Sequence, residues 1–496
     1  MLRSKYGRLL IGAIALAATA ACSNSDGITA PGTDPNSPPD LVREARGVWI
    51  ATVANIDWPS KNSLTADAQR AELRDLLDRA ASNGLNIVVF HIRPAGDAVY
   101  DSSIEPWAAM LTGVQGVGPG YDPLAYAVAE AHARGLELHA WINPFRAGNT
   151  KDTLNFAATH QFRVRRDLLR IYGSQVWFDP GEQGVQDHAI RVARDIVQRY
   201  DIDAIHADDF FYPYQENDAM GKAIDFPDSG SYARSGSTLS RADWRRSNVD
   251  RFIERLYSEV HLLKPTIKVG LSPFGIWRPG NPASVTGLDA YASIYADSRK
   301  WLNSGWIDYF APQLYWSIAS TGQSFPALLD WWIGENKSGR HLWPGLATYR
   351  VTDGTSSAFG TEEIANQIKL TRLRTGSTGH LLYNATTTLK RTPNPMLVSV
   401  APLYALRALV PASTWLDGTA PAAPTLTVNN RTLTITAAAG EPARWWFVRV
   451  HSSLGWASRI HFGTTTDVQY DTSPDRILVN AVDQAGNASA PADWRR

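Results

Sequence analysis

Residues 122–143, DPLAYAVAEAHARGLELHAWIN, contain a complete helix-to-strand unit. Asp122 and Pro123 are typical of a helix start, with the aspartate as N-cap and the proline in the first turn. Gly135 is typical of a helix end, where a left-handed residue is needed. The apolar run at residues 136–143 follows at once and predicts a buried strand. This stretch therefore indicates a helix that leads directly into a strand of a parallel sheet.

The same unit repeats along the chain. Short apolar runs alternate with amphipathic segments, one of which carries Leu73, Leu76 and Leu77 on one face and ends at Gly84. Such alternation predicts parallel strands joined by crossover helices. Eight units over about 360 residues predict an α/β fold, a (β/α)8 TIM barrel with long loops on one rim. The predicted strands are residues 47–53, 85–92, 136–143, 202–208, 267–272, 307–315, 342–348 and 380–384.

The pattern changes after the predicted barrel, which we place at residues 43–412. Residues 413–424 read as a linker, and alternating runs such as LTIT at 433–436 then predict a small all-β sandwich over residues 425–496. The run AVDQAGN at 481–487 resembles the last strand and turn of a fibronectin III or immunoglobulin-like domain. The sequence therefore predicts two folded domains.

The amino-terminal residues are typical of an export signal. Basic residues precede an apolar run that is too short to remain as a transmembrane helix. Small residues then lead to Cys22, as in a bacterial lipobox, which predicts a lipoprotein signal peptide at 1–22 and lipidation of Cys22. The alternative is ordinary cleavage after Ala21 and release of the protein. Residues 23–42 are predicted to be a disordered tether, because they carry almost no apolar side chains.

Composition limits the partners. Lys and Arg total 48 and so do Asp and Glu, so no basic surface is expected for nucleic acid. The chain has 18 tryptophans and 18 tyrosines, whose flat amphipathic rings suit the faces of sugars. We expect a monomer with no cofactor and no metal, whose only membrane contact is the lipid anchor in the cell envelope.

The strongest site signal follows the fourth predicted strand, because TIM-barrel active sites lie at the carboxyl ends of the strands. Adjacent carboxylates at Asp208 and Asp209 are costly there unless they bind or react with something. Strand periodicity predicts His206 and Asp208 on one face and Asp209 on the other. His206 would then keep Asp208 ionised, as a nucleophile requires. The alternative is that one aspartate caps the loop and the other pairs with an arginine.

Six motifs, taken together and in this order, resemble the glycosyl hydrolase-like 10 family of bacterial lipoproteins. They are RGVWIATV at 46–53, HIRPAGDAVY at 91–100, WINPFR at 141–146, HADDFFYP at 206–213, SPFGIW at 272–277 and DYFAPQLYW at 308–316. The resemblance covers roughly residues 43–410. It implies a TIM barrel, an envelope location and glycoside hydrolysis, with cell-wall glycan (peptidoglycan) as the substrate class. His206 and Asp208 also resemble the basic-x-Asp motif that carries the nucleophile in amylase and α-galactosidase barrels.

Glycoside hydrolysis needs a carboxylic acid that protonates the leaving oxygen and a carboxylate that attacks or activates water. We predict Asp208 as the carboxylate and Asp297 as the acid, although Asp297 could equally be a plain helix N-cap. Asp209 is the next acid candidate, followed by Glu105 and Asp97. The predicted substrate-binding residues are Arg93, Asp97, Glu105, Asn143, Arg146, His206, Tyr212, Trp277, Gln313, Tyr315, Trp316, Tyr383 and Asn384.

Two other function classes stay open. A metal-dependent barrel hydrolase is one, because His91, His139 and His206 lie on predicted strands near Asp208, although the first strand lacks the His-x-His pair of the barrel amidohydrolases. The other is an inactive barrel that binds glycan in the envelope without cleaving it.

Overall fold

The computed structural model of the protein describes residues 37–496. The predicted signal peptide at 1–22, with Cys22, lies outside the described residues, as does most of the predicted tether at 23–42. Within the part that is described, no helix has both the length and the apolar character needed to cross a bilayer.

Within these residues, nine parallel strand segments form one barrel of eight strands. Each strand pairs with the next, and the last pairs with the first, with Leu381 opposite Gly47. The predicted TIM barrel is therefore confirmed. Barrel strands 1 to 8 are Ala45–Ile50, Ile87–Arg93, Glu137–Ile142, Ala204–Ala207, Lys268–Leu271, Tyr309–Phe310, the pair His341–Leu342 and Gly345–Ala347, and Gly379–Tyr383.

Barrel strand 7 is split, where the sequence predicted one run. Pro344 interrupts it because proline has no backbone N–H to give to the neighbouring strand. The cylinder still closes there: Gly345 N donates to Pro312 O (2.9 Å) and Leu381 N donates to Pro344 O (3.1 Å).

Helices surround the barrel and begin and end where the local chemistry predicts. Asp122 caps its helix by accepting hydrogen bonds from Leu124 N (3.0 Å) and Ala125 N (3.1 Å). Gly84 and Gly135 have φ of +81° and +70°, which fits left-handed helix ends. The main helices are Ala66–Ser82, Pro123–Ala133, Gln183–Arg199, Arg241–Leu263, Ser298–Ser304, Phe325–Glu335 and Glu363–Arg372. Short helices are Gln161–Val164, Ser229–Ser235, Ala290–Ser293 and Pro395–Val400.

The barrel interior is filled with side chains. In strand 1, Val48 and Ile50 pack toward the helices, whereas Trp49 faces the interior, as the period of two requires. There Trp49 belongs to one buried cluster with Trp141 and Tyr309. Because this aromatic core closes the lumen, a ligand has access only to the rims of the barrel.

The carboxyl-terminal residues form two antiparallel sheets, so the predicted all-β second domain is confirmed. One sheet contains Thr425–Asn429, Thr432–Thr436 and Asp467–Gln469, and the other contains Trp445–Ser452, Gly455–Phe462, Arg476–Val482 and Ala492–Arg495. The likeness to fibronectin III stays a prediction.

The sandwich packs on the amino-terminal face of the barrel. Arg444 pairs with the buried Asp203 (2.7 Å) and with Asp201 (2.7 Å), and Gln484 also donates to Asp203 (3.2 Å). Asp203 directly precedes barrel strand 4, so this contact lies at the end opposite the carboxyl ends of the strands. The sandwich therefore leaves the carboxyl-terminal mouth open.

Candidate active site

Asp208 and Asp209 lie together at the carboxyl-terminal mouth of the barrel. Barrel strand 4 ends at Ala207 and the chain bends at Asp209, so strand periodicity no longer applies to the pair. Both carboxyl groups raise the pKa of the nearby phenols of Tyr315 and Tyr383, in addition to the effect of burial. The two acids thus act on the same two phenols, and the prediction that Asp209 faces away from Asp208 stays a prediction.

Asp208 is almost fully buried and weakly hydrogen bonded. Asn143 Nδ2 lies 3.3 Å from its Oδ1, and Phe210 N donates to the same oxygen at 3.2 Å. Burial and the neighbouring charge of Asp209 raise the pKa of Asp208 to about 7, although Arg146 opposes the shift. A carboxyl group with this pKa can give up a proton near neutral pH, as a general acid must.

Asp209 has a stronger hydrogen-bond donor than Asp208 has. The hydroxyl of Tyr214 donates to its Oδ2. Burial raises the pKa of Asp209, while hydrogen bonds from Tyr214 and Gln313 oppose the rise by favouring the ionised form. The two aspartates titrate as a coupled pair. We assign the negative charge to Asp209 and the proton to Asp208, because a phenol that donates stabilises an anion.

The predicted role of His206 is wrong. Its ring faces the barrel interior, where Nδ1 lies 2.9 Å from the Tyr309 hydroxyl and Nε2 lies 3.1 Å from Ser272 Oγ and 3.3 Å from Trp49 Nε1. Burial, together with nearby His139, holds the pKa of His206 well below its ordinary value. A neutral imidazole with these partners cannot keep Asp208 ionised.

Arg146 and an aromatic wall complete the mouth. The Arg146 guanidinium lies 4.4 Å from the centre of the Phe210 ring, and its Nε donates to Pro94 O (3.1 Å). The rings of Tyr315 and Tyr383 stack 5.8 Å apart at an angle of 23°. Their raised pKa values keep both phenols protonated, so they can donate hydrogen bonds to a bound ligand.

The family model described as glycosyl hydrolase-like 10 matches residues 44–359, which include all of these side chains except Tyr383. The chain belongs to the glycosyl hydrolase-like 10 family. It is 40% identical over 396 residues to glycosyl hydrolase YngK of Bacillus subtilis, a match that covers 78% of this chain and 76% of YngK. It is 35% identical over 328 residues to glycosyl hydrolase DigH of Escherichia coli K12, which covers 62% of this chain and 73% of DigH.

Among solved structures, the glycoside hydrolase domain of PgaB (BpsB) from Bordetella bronchiseptica is 12% identical, with a TM-score of 0.48. That match covers 73% of this chain and 99% of the domain. Such a distant likeness supports no functional argument. The sequence family itself confirms the predicted enzyme class, an O-glycosyl hydrolase of glycans.

In this member of the glycosyl hydrolase-like 10 family, Glu105 is a buried structural group and is therefore excluded as an acid. Its carboxylate accepts from Arg93 Nε (2.7 Å) and lies 2.7 Å from His188 Nε2. Burial alone would raise the pKa of Glu105, but Arg93 and His188 outweigh it and hold the pKa well below the ordinary range. Arg93 also donates to the carbonyl of Asn143, so this group supports the loop that contacts Asp208.

Asp297 is a helix N-cap in this family member. It accepts from Lys300 N (3.4 Å) and from Trp277 Nε1 (3.0 Å). Burial raises the pKa of Asp297, and the acidic neighbour that adds to this rise is Asp250, on an outer helix. Within the described chain, no hydrogen bond joins Asp297 to the strand-4 pair. The prediction of Asp297 as the catalytic acid is therefore not supported.

Three other predicted binding residues have local partners, and their role in binding stays a prediction. Tyr212 packs edge-on against Tyr295, Trp277 stacks on Trp331, and Asn384 accepts from the backbone of Thr387.

Trp316 does contribute to the mouth. Its ring packs against Phe274, which in turn packs against Tyr214. Tyr214 was not among the residues predicted from sequence, where Tyr212 of the same loop was predicted instead. Tyr214 could have been considered from sequence, because it carries an aromatic hydroxyl in the same loop, five residues after Asp209.

The three histidines of the metal-hydrolase alternative do not form one set of metal ligands. His139 and His206 both hydrogen bond to the Tyr309 hydroxyl, and His91 stacks on Trp141 at 3.8 Å. Within residues 37–496, the group of three potential metal ligands that lie within 4.8 Å of one another is Asp417, Glu441 and Asp483, in the linker and the sandwich. The barrel mouth therefore favours carboxyl chemistry over a histidine metal site.

Proposed function

We propose that this glycosidase cleaves the glycan strands of the bacterial cell wall, with Asp208 as the proton donor and Asp209 as the second carboxyl group. One observation carries the proposal: two adjacent aspartates are buried at the barrel mouth, and the pKa of Asp208 is raised to about 7. Glycosidases need one protonated and one ionised carboxyl group at the scissile bond. The pair supplies both from neighbouring positions.

The reaction follows from the partners of each group. Asp208 gives its proton to the glycosidic oxygen as the bond to the anomeric carbon breaks. Asp209 stays ionised because Tyr214 donates to it, and its charge stabilises the positive charge that develops on the sugar ring. A water molecule then adds to the anomeric carbon and gives a proton to Asp209, and exchange with solvent restores both carboxyl groups. The protonated phenols of Tyr315 and Tyr383 are available to orient sugar hydroxyls.

The choice of substrate rests on location and on charge. The predicted export signal and lipidated Cys22 would hold the enzyme in the envelope, where the cell wall is the polysaccharide at hand. The equal number of basic and acidic side chains suits a ligand without a strong charge of one sign. We propose that the enzyme works there as a monomer.

The test is digestion of purified cell-wall glycan strands by the full chain, with the products identified by mass. We expect new reducing ends from the wild type and from Asp75→Asn, a matched change on the exposed face of helix Ala66–Ser82. Asp208→Asn should release about a thousandfold fewer reducing ends, since general acid catalysis contributes a factor of about 10² to 10⁴ to the rate. Absence of cleavage by the wild type, or loss of cleavage in chelator, would overturn the proposal.

A further inference from the structure

A cleft of ≈ 320 Å³ opens between the loops that follow barrel strands 1, 2 and 3. Asn55 lies in the first of these loops, Asp97 and Gln115 in the second, and Asn149 and Phe156 in the third. All three loops start at carboxyl ends of strands, on the same rim as the aspartate pair. The cleft is therefore placed where a chain-like substrate could extend beyond the scissile bond.

Arg146 connects the cleft with the aspartate pair. It directly precedes Ala147, which lines the cleft, and its Nε donates to Pro94 O (3.1 Å), next to Ala95 of the same lining. Burial lowers the pKa of Arg146, and the charges of Asp208, Asp209 and Asp97 oppose this effect. A glycan bound across the pair would thus pass Arg146 and enter the cleft.

The lining matches a neutral sugar. It contains carboxamides, a threonine and the carboxyl groups of Asp97 and Asp152, together with the apolar surfaces of Ala109, Met110 and Phe156. Within the described chain, no lysine or arginine lines the cleft, which disfavours an anionic ligand such as a phosphate. Carboxamides pair with hydroxyl and acetamido groups, and apolar side chains pack on a sugar's CH face and acetamido methyl.

Asp97 is held rigidly in the second of these loops. Its Oδ1 accepts from Ala95 N (3.2 Å) and its Oδ2 from Gln115 Nε2 (3.1 Å). Gln115 in turn accepts from Ala157 N (3.0 Å), so it ties the second loop to the third. Burial raises the pKa of Asp97 to about 7. At neutral pH this carboxyl group is available as a donor to a neutral sugar oxygen.

We propose that this cleft is a subsite for an uncharged N-acetylated hexose residue, bound next to the residue that is cleaved, with Asp97 hydrogen bonded to the sugar. The inference rests on the proposed function and adds a second contact surface to it. Asp97 acts here in binding, because it lines the cleft in the loop after barrel strand 2, whereas the aspartate pair follows barrel strand 4.

The experiment uses oligomers of β-1,4-linked N-acetylglucosamine of increasing length as the probe. Ala109→Trp fills the cleft, and Ala292→Trp is the matched control in a different cavity, beside Tyr212. Calorimetry in the Asp208→Asn background should show affinity that rises with oligomer length. Ala109→Trp should abolish that rise and Ala292→Trp should keep it. Asp97→Ala should raise the KM of the active enzyme about tenfold, the equivalent of one strong hydrogen bond, with kcat little changed, whereas Asp97→Asn keeps a donor and should stay near wild type.

Unchanged length dependence in Ala109→Trp, together with unchanged KM in Asp97→Ala, would overturn the subsite while cleavage by the wild type still supported the proposed function. A fall in kcat rather than a rise in KM in Asp97→Ala would also overturn it, because Asp97 would then act in catalysis. If the wild type cleaved no glycan and Asp208→Asn bound no oligomer, the proposed function and the subsite would fall together.

Discussion

The hydroxyl of Tyr214 donates to Oδ2 of Asp209, whereas Asn143 makes only a long contact with Asp208, at 3.3 Å, and the Trp141 indole opposes the rise of its pKa less than burial promotes it. This difference gives the two neighbouring aspartates different tendencies to ionise. The phenol stabilises charge on Asp209, and that charge raises the pKa of Asp208. One carboxyl group can then donate a proton while the other stays ionised, as glycoside hydrolysis requires.

Removing the phenol should shift the acidic limb of the pH–rate profile. In Tyr214→Phe the ionised form of Asp209 loses its donor, so the pKa of Asp209 rises. A hydrogen bond to a charged group is worth about 1.5 to 3 kcal/mol, which corresponds to a shift of at least about one pH unit upward. The matched control is Tyr232→Phe, a tyrosine on the short helix Ser229–Ser235. An unmoved acidic limb would show that Asp209 need not be ionised.

The alkaline limb of the wild type should lie near neutral pH. Asp208 must be protonated to act, and its pKa is raised to about 7, chiefly by burial. The kcat/KM for glycan strands should therefore fall about tenfold per pH unit above that value. A rate that stays level to about pH 9 would remove Asp208 as the acid, since a group of this pKa would then be fully ionised.

The same shift predicts that Asp208 destabilises the fold at alkaline pH. Its pKa rises from 3.8 in the unfolded chain to about 7 in the folded protein, so its favourable contribution is complete below pH 3.8 and is lost as pH rises through 7. At pH 8 the free energy of unfolding of Asp208→Asn should be about 2 to 4 kcal/mol higher than that of the wild type, and at pH 4 the difference should be smaller. Urea unfolding of both proteins at pH 8 and pH 4 measures this difference. A difference independent of pH, as expected for the control Asp75→Asn, would contradict it.

The contact between sandwich and barrel should be important for stability. Asp203 is fully buried, and Arg444 with His132 holds its pKa well below the ordinary value against the effect of burial. Arg444→Ala should cost about 3 kcal/mol or more in unfolding free energy, since it removes the strongest partner of a buried charge. Arg476→Ala, which breaks a partly exposed pair with Asp493, should cost at most about 1 kcal/mol. Equal losses in denaturant unfolding would show that Asp203 is adequately paired without Arg444.

The parts of the fold that were predictable from sequence depend on local chemistry. Asp122, Pro123 and Gly135 satisfy the ends of one helix through their own backbone and side-chain preferences, so they indicate its bounds directly. Pro344 also indicates the break in strand 7 locally, because proline has no backbone N–H. The break was not predicted, because the apolar residues around Pro344 were read as one continuous strand.

The site was less predictable because its geometry depends on distant residues. His206 turns inward to Tyr309, which is 103 residues further along the chain. The roles of Asp208 and Asp209 depend on where strand 4 ends, and a shift of one residue changes the face of every side chain. Asp297 had two interpretations from sequence, and its hydrogen bonds from Lys300 N and Trp277 Nε1 favour the helix N-cap.

The most direct test of the central claim compares Asp208→Asn with Asp297→Asn in the cleavage of purified glycan strands. Asparagine also caps helices, so the second variant keeps the structural role of Asp297. The account predicts a rate about a thousandfold below wild type for Asp208→Asn, within the range for loss of a general acid, and a rate near wild type for Asp297→Asn. A near-normal rate for Asp208→Asn, with activity lost in Asp297→Asn, would contradict it.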